Sequence, residues 1–143
     1  MYDFLQKFHS GWAYLALLLL VVTVLNSLIG ITSKKEFTSK DRKIALFGLI
    51  FTHIQLLIGL ILYFVSAVGM KAFSTEGAMK IPELRLTMLE HPLINIIAIV
   101  LITIGWSKHK KATTNEAKFK SIAIFYGLGL VLILARIPWH LWF

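Results

Sequence analysis

Apolar residues in this chain do not alternate with polar ones; they run in long blocks divided by short polar stretches. Four blocks stand out. The first runs from Gly11 to Ile31 and the second from Ile44 to Val68. The third has its dense part from Pro92 to Trp106 and borrows a turn upstream, giving 87–106. The fourth runs from Ser121 to Phe143. About 20 mostly apolar residues in helical form cross a hydrocarbon layer of about 30 Å. No water is present there, so each segment must satisfy its own backbone hydrogen bonds, which leaves helices or a closed barrel. Runs such as Leu17-Leu18-Leu19-Leu20-Val21-Val22 lack the period-two alternation of barrel strands. The pattern predicts an all-α fold: an integral membrane four-helix bundle, up-down-up-down, in a single domain covering residues 1–143.

Polar punctuation supports the same division. Thr38-Ser39-Lys40-Asp41 and Thr113-Thr114-Asn115-Glu116 both have a hydroxyl followed three residues later by an acid, the pattern of a capping box at a helix start. Ser74-Thr75-Glu76-Gly77 reads as a turn, and Pro82 suits the first position of a new helix.

Composition excludes a water-soluble globule. Of the 143 residues, 57% are hydrophobic and 15% charged, with a mean hydropathy of +0.76; soluble domains run at about 45–50% and about 25%. There is no cysteine, which excludes disulfides, thiolate metal sites, cysteine-held iron–sulfur clusters and haem attached through C-x-x-C-H. H-E-x-x-H, G-x-S-x-G and phosphate-cradling glycine loops are missing too, so nothing favours hydrolysis.

The 15 Lys and Arg against 7 Asp and Glu give a net charge of +8, and its placement sets direction. Lys34, Lys35, Lys40, Arg42 and Lys43 lie between the first two blocks. Lys108, Lys110, Lys111, Lys118 and Lys120 lie between the last two, and only Lys7, Lys71, Lys80, Arg85 and Arg136 fall on the other side. The positive-inside rule puts the two short basic loops in the cytoplasm and both termini outside. Topology and anionic lipid account for the basic loops, so no nucleic-acid partner is needed. Tyr2, Phe4, Phe8, Trp12, Trp139, Trp142 and Phe143 form the matching outer aromatic belt. The first block is not a cleavable signal, since its lysines follow the apolar run instead of preceding it.

Histidines carry the candidate chemistry. His109 lies among lysines and reads as solvated, whereas His9, His53, His91 and His140 fall one to each helix. Ionisable groups within membrane helices are functional by default, and bundle cores build haem and metal sites from facing helices. At 100° per residue, His9 shares its face with Ala13, Ala16, Thr23, Ser27 and Gly30. His91 shares one with Thr87, Asn95, Ala98 and Gly105, and His140 one with Arg136, Gly129 and Tyr126. These small or polar stripes turn toward other helices. The equivalent stripe on the second helix is Gly48, Thr52, Gln55, Gly59, Tyr63 and Ser66. His53 stands about 120° away from it, facing a second neighbour or another subunit. By depth, His9 and His140 fall near the outer boundary, His91 about a turn inside it and His53 near mid-membrane. Two axial ligands bracket one iron at one depth, which favours His9 with His91, or His91 with His140, over His53 with His140. Arg136 is placed to meet a haem propionate, Glu90 or a lipid phosphate, and Gly127 and Gly129 offer either room for a flat macrocycle or close helix packing.

Three stretches carry a resemblance: His9-Ser10, the run His53-Ile54-Gln55-Leu56-Leu57-Ile58-Gly59, and Glu90-His91-Pro92. With Ile137-Pro138-Trp139, they resemble a family of small four-helix membrane proteins of Bacteroidetes-type bacteria commonly labelled cytochrome b or b-type cytochrome. The resemblance implies haem b held by histidines and points to His9, His53 and His91. The reading that follows is an electron-transfer protein or respiratory-complex subunit of the bacterial inner membrane, more a carrier than an enzyme. Its best iron ligands are His91 and His9, with His53, His140 and Arg136 in reserve around the cofactor. Its expected surroundings are the lipid bilayer, a larger membrane complex or a homo-oligomer, and a quinone. The alternatives are a cofactor-free accessory or assembly subunit, and a metal site of His9, His91 and His140.

Overall fold

The computed structural model describes residues 2–139 and contains four helices long and apolar enough to cross a membrane. They are α1 (Tyr2–Thr32), α2 (Ser39–Val65), α3 (Pro82–Lys111) and α4 (Asn115–Ala135). Among the described residues there is no strand. The chain is an all-α four-helix bundle, and its outward side chains, Leu18, Leu25, Ile29, Leu57, Phe64, Val100 and Val131 among them, are exposed and apolar, as lipid contact requires.

The capping signals act where they stand or one residue away. The Thr38 backbone N–H and hydroxyl donate to the Asp41 carboxylate at 2.9 and 3.0 Å, closing the start of α2. At α4 the cap is Thr114, not Thr113: its hydroxyl accepts from the Ala117 N–H at 3.1 Å, and Glu116 pairs with Lys120 instead. Helix α1 begins nine residues before its apolar block, because Tyr2 to Ser10 continue the same helix at the interface. Helix α4 stops at Ala135. The residue before a proline is steered away from helical backbone, and the chain leaves the helix over residues 136–138, ahead of and at Pro138. The outer connection makes two short 3₁₀ turns, Met70–Ser74 and Ala78–Lys80, hinged on Gly77 at φ 72°, a left-handed conformation that suits glycine.

Helix α3 starts on Pro82, as its sequence predicts, and then widens into a π-helical turn over Leu86–Glu90. Pro92 explains the widening. It has no N–H to give to the Met88 carbonyl four residues back, and the Tyr63 hydroxyl of α2 donates to that carbonyl instead, at 2.8 Å. Neighbouring helices commonly satisfy backbone groups freed by proline in this way. Tyr63→Phe leaves the carbonyl without this donor, at an expected cost of about 1–3 kcal/mol. A lowered thermal midpoint in detergent, with helix content by circular dichroism unchanged, is the measurement.

Around the bundle α1 packs on α2 and α4, and α3 packs on α4 and α2, so α1 and α3 occupy opposite corners. The half toward the lysine-rich end is solid. Leu20, Ala45, Ile102, Ile122 and Tyr126 form its core, and the Tyr126 hydroxyl reaches through it to donate to the Ala45 carbonyl at 2.8 Å. Gly129 belongs to this packing. A Cβ there would lie 3.0 Å from the Ala98 carbonyl oxygen, while one on Gly127 would meet nothing within 4 Å. Close helix approach, and not room for a macrocycle, is what Gly129 provides.

His109 corrects its sequence reading. It is 2% exposed, inside the end of the bundle, where its Nδ1 donates to the Trp106 carbonyl. The rings of Phe37 and Trp106 lie beside it, with Phe119 against Phe37. The lysines around it in sequence project outward because they occupy the other faces of the last turn of α3.

Candidate cofactor site

The other half of the bundle is hollow. A partly open cavity of about 190 Å³ lies between all four helices, larger than the roughly 150 Å³ apolar cavity known to take up benzene. Its walls are mainly apolar, with Ala16, Leu20, Leu56, Ile99 and Ile133 toward the membrane centre. Five nitrogen-bearing side chains interrupt them: Gln6 and His9 from α1, Gln55 from α2, and His91 and Asn95 from α3. The stripe expected to face inward on α2 does so, since Thr52, Gln55, Gly59, Tyr63 and Ser66 all line this space.

His9 and His91 come from opposite corners and meet. Counted at about 1.5 Å per residue, they lie about 10 and about 14 Å from the starts of α1 and α3, so their depths match. Their ring centroids are 6.3 Å apart and their planes stand at 80°.

Each ring is held differently. His91 Nδ1 lies 2.9 Å from the Arg136 carbonyl and 3.1 Å from Asn95 Nδ2. A carbonyl can only accept, so Nδ1 carries the proton and donates to Arg136. The Asn95 amide donates to the His91 carbonyl at 2.6 Å. In the neutral imidazole Nε2 is then the unprotonated nitrogen, free to act as a ligand. The acceptor exists because α4 ends at Ala135: the Arg136 carbonyl lies past the last helical turn.

The His9 ring packs against Gly59 of α2, where a Cβ would come within 2.9 Å of its Cε1. Only a residue without a side chain leaves that place to the imidazole. The Gln55 amide nitrogen donates to the His9 backbone carbonyl at 2.8 Å. Among the described residues, two buried side-chain atoms have no hydrogen-bond partner: His9 Nδ1 and Gln55 Oε1.

The other sequence candidates fall elsewhere. His53 lies outside the cavity walls, exposed on the side of α2; its Nδ1 donates to the Leu49 carbonyl at 2.7 Å, and Thr103 Oγ1 is 3.3 Å from its Nε2. A buried imidazole pair at mid-depth is thus not what His53 supplies. Arg136 contributes its backbone carbonyl, while its half-exposed guanidinium lies 3.7 Å from Glu90, which also pairs with Arg85 at 3.0 Å. His140, together with Trp142 and Phe143 of the expected aromatic belt, lies outside the described residues. Among the described residues no three His, Asp or Glu side chains gather as a metal site would need. Gln55 and Gly59 are the site residues that inspection for ligands passes over. The signal for both was their place on the small and polar stripe of α2.

Comparison of the chain with protein-family models, curated proteins and solved structures finds no match in any of the three.

Proposed function

We propose that this multi-pass membrane protein holds one haem b between His9 and His91 and serves as a one-electron carrier or redox subunit. The observation that carries the reading is the convergence of two imidazoles from opposite helices, at one depth, on one cavity. Metal–imidazole bonds are about 2.0–2.1 Å, and rings with centroids 6.3 Å apart are near enough to reach one shared ion. Two imidazoles with no third His, Asp or Glu gathered beside them among the described residues suit haem iron better than zinc, which takes three or four protein ligands. The protonated Nδ1 of His91, donating to a backbone carbonyl, is the usual outer support of a metal-bound histidine.

When bound, haem b supplies reversible one-electron exchange at its iron. The chain's own residues fix the position and exclude water. His9 and His91 set the depth, and Ala16, Leu20, Ile99 and Ile133 wall the inner side with apolar surface. The resemblance of the His9, His53 and His91 stretches to small b-type cytochromes supports the same cofactor. It also favours a place in a respiratory or quinone-linked chain of a bacterial inner membrane, with both termini outside.

The test is a reduced-minus-oxidised absorption spectrum of the detergent-purified protein expressed with ample haem. A Soret band and an α band are expected. A flat trace overturns the proposal and leaves the cofactor-free accessory subunit as the reading.

A further inference from the structure

We infer that Gln55 is the positioning residue for His9: its amide oxygen is the acceptor that fixes the His9 proton on Nδ1 and turns Nε2 toward the cofactor. The redox consequence of this inference rests on the haem reading; the tautomer itself does not.

Two buried atoms without partners carry the argument, and they are complementary. Buried polar groups in native proteins are nearly always hydrogen-bonded, so each exception calls for a reason. His9 Nδ1 and Gln55 Oε1 are the two exceptions among the described residues, and both belong to the same corner of the cavity. The orientation of the Gln55 amide is not arbitrary. The His9 backbone carbonyl can only accept, so the group 2.8 Å from it must be the NH₂ end, and the oxygen points away. That hydrogen bond anchors Gln55 to the residue whose ring it serves. An Nδ1–H and a carbonyl oxygen form a donor–acceptor pair, either directly after a small rotation of either side chain or through one water.

The opposite ligand provides the comparison. His91 has its Nδ1–H held by the Arg136 carbonyl at 2.9 Å. On the His9 side no backbone carbonyl does this among the described residues, and Gln55, tied to the His9 backbone carbonyl, is the α2 side chain placed to serve the ring. Gly59, one turn along the same helix, keeps the ring pressed to that wall. The two ligands are therefore supported unequally, one by a backbone carbonyl and one by a replaceable side chain. The Gln55 position is then where the electron affinity of the site is adjustable.

The experiment uses the full-length protein in detergent with ¹⁵N-labelled histidine, as purified and haem-loaded. Wild type should give His9 as the Nδ1–H tautomer, and Gln55→Leu should move it to a mixture with Nε2–H. In the loaded protein Gln55→Leu should weaken haem binding about 10–100-fold, the usual effect of losing an outer-shell partner. Gln55→Glu, an anionic acceptor, should favour the oxidised form about tenfold, which is about 59 mV more negative for one electron. A merely structural glutamine would not move the potential. Unchanged tautomer and unchanged potential in both variants overturn the inference. If Gln55→Leu fails to fold, Gln55→Glu decides by the same two readouts. A wild type that binds no haem overturns the haem reading alone, and the tautomer measurement still decides the role of Gln55.

Discussion

Replacing His91 by alanine is expected to abolish the haem absorption bands of the purified protein, and His9→Ala is expected to do the same. Each ring is one of the two imidazoles that line the cavity among the described residues. The effect should exceed the 10–100-fold loss typical of an outer-shell partner, since the bond lost is to the metal itself. His53→Ala and His109→Ala serve as the contrast. The first ring is exposed and bonded to Leu49 within its own helix; the second is sealed between Phe37 and Trp106 at the other end of the bundle. Both should keep the bands. Spectra that survive in His91→Ala, or vanish in His53→Ala, would contradict the assignment of ligands. Helix content measured on the same samples separates loss of the site from loss of the fold.

The second large effect is expected from a single methyl group. Gly59→Ala places a Cβ 2.9 Å from His9 Cε1, closer than real contacts allow, and the imidazole is the part that can move. Misplacing a reacting group by about 1 Å can cost about 100-fold, so haem affinity should fall by about 10–100-fold. Stability should move in the opposite direction or stay level, because alanine in a helix interior is about 0.5–1 kcal/mol better than glycine. Gly127→Ala is the control, since a Cβ there meets nothing within 4 Å. Equal haem titrations for wild type and Gly59→Ala would show that the ring does not depend on that gap.

The architecture was legible because its cause is local. A block of about 20 apolar residues can cross lipid in few ways, and the stripe Thr52, Gln55, Gly59, Tyr63, Ser66 reveals which face of α2 turns inward whatever lies opposite. Helical phase likewise put His9 and His91 on inward faces at similar depth. Which helices share an edge and which stand at opposite corners depends on packing between distant segments, and periodicity within one helix does not encode it. The same limit explains His109. Its lysine neighbours suggested solvent, but Phe37, from another segment and backed by Phe119, packs against it. The early stop of α4 had a visible cause in Pro138, yet the length of the apolar block outweighed it. Most of the site's fine structure follows from that stop, because it leaves the Arg136 carbonyl for His91. The partner of the Met88 carbonyl was equally hidden: Pro92 announces a freed acceptor, but nothing in sequence says that Tyr63 answers it.

The bundle is solid at one end and hollow at the other, and this has an electrical meaning. Moving one elementary charge through the whole membrane field takes about 2.3 kcal/mol per 100 mV. The packed half around Ala45, Ile102 and Tyr126 separates the two imidazoles from the lysine-rich end. On the proposed redox role, an electron reaching them from the lysine-rich end crosses more of the field than one reaching them from the hollow end. On that reading, exchange at the hollow end is the less voltage-sensitive of the two routes.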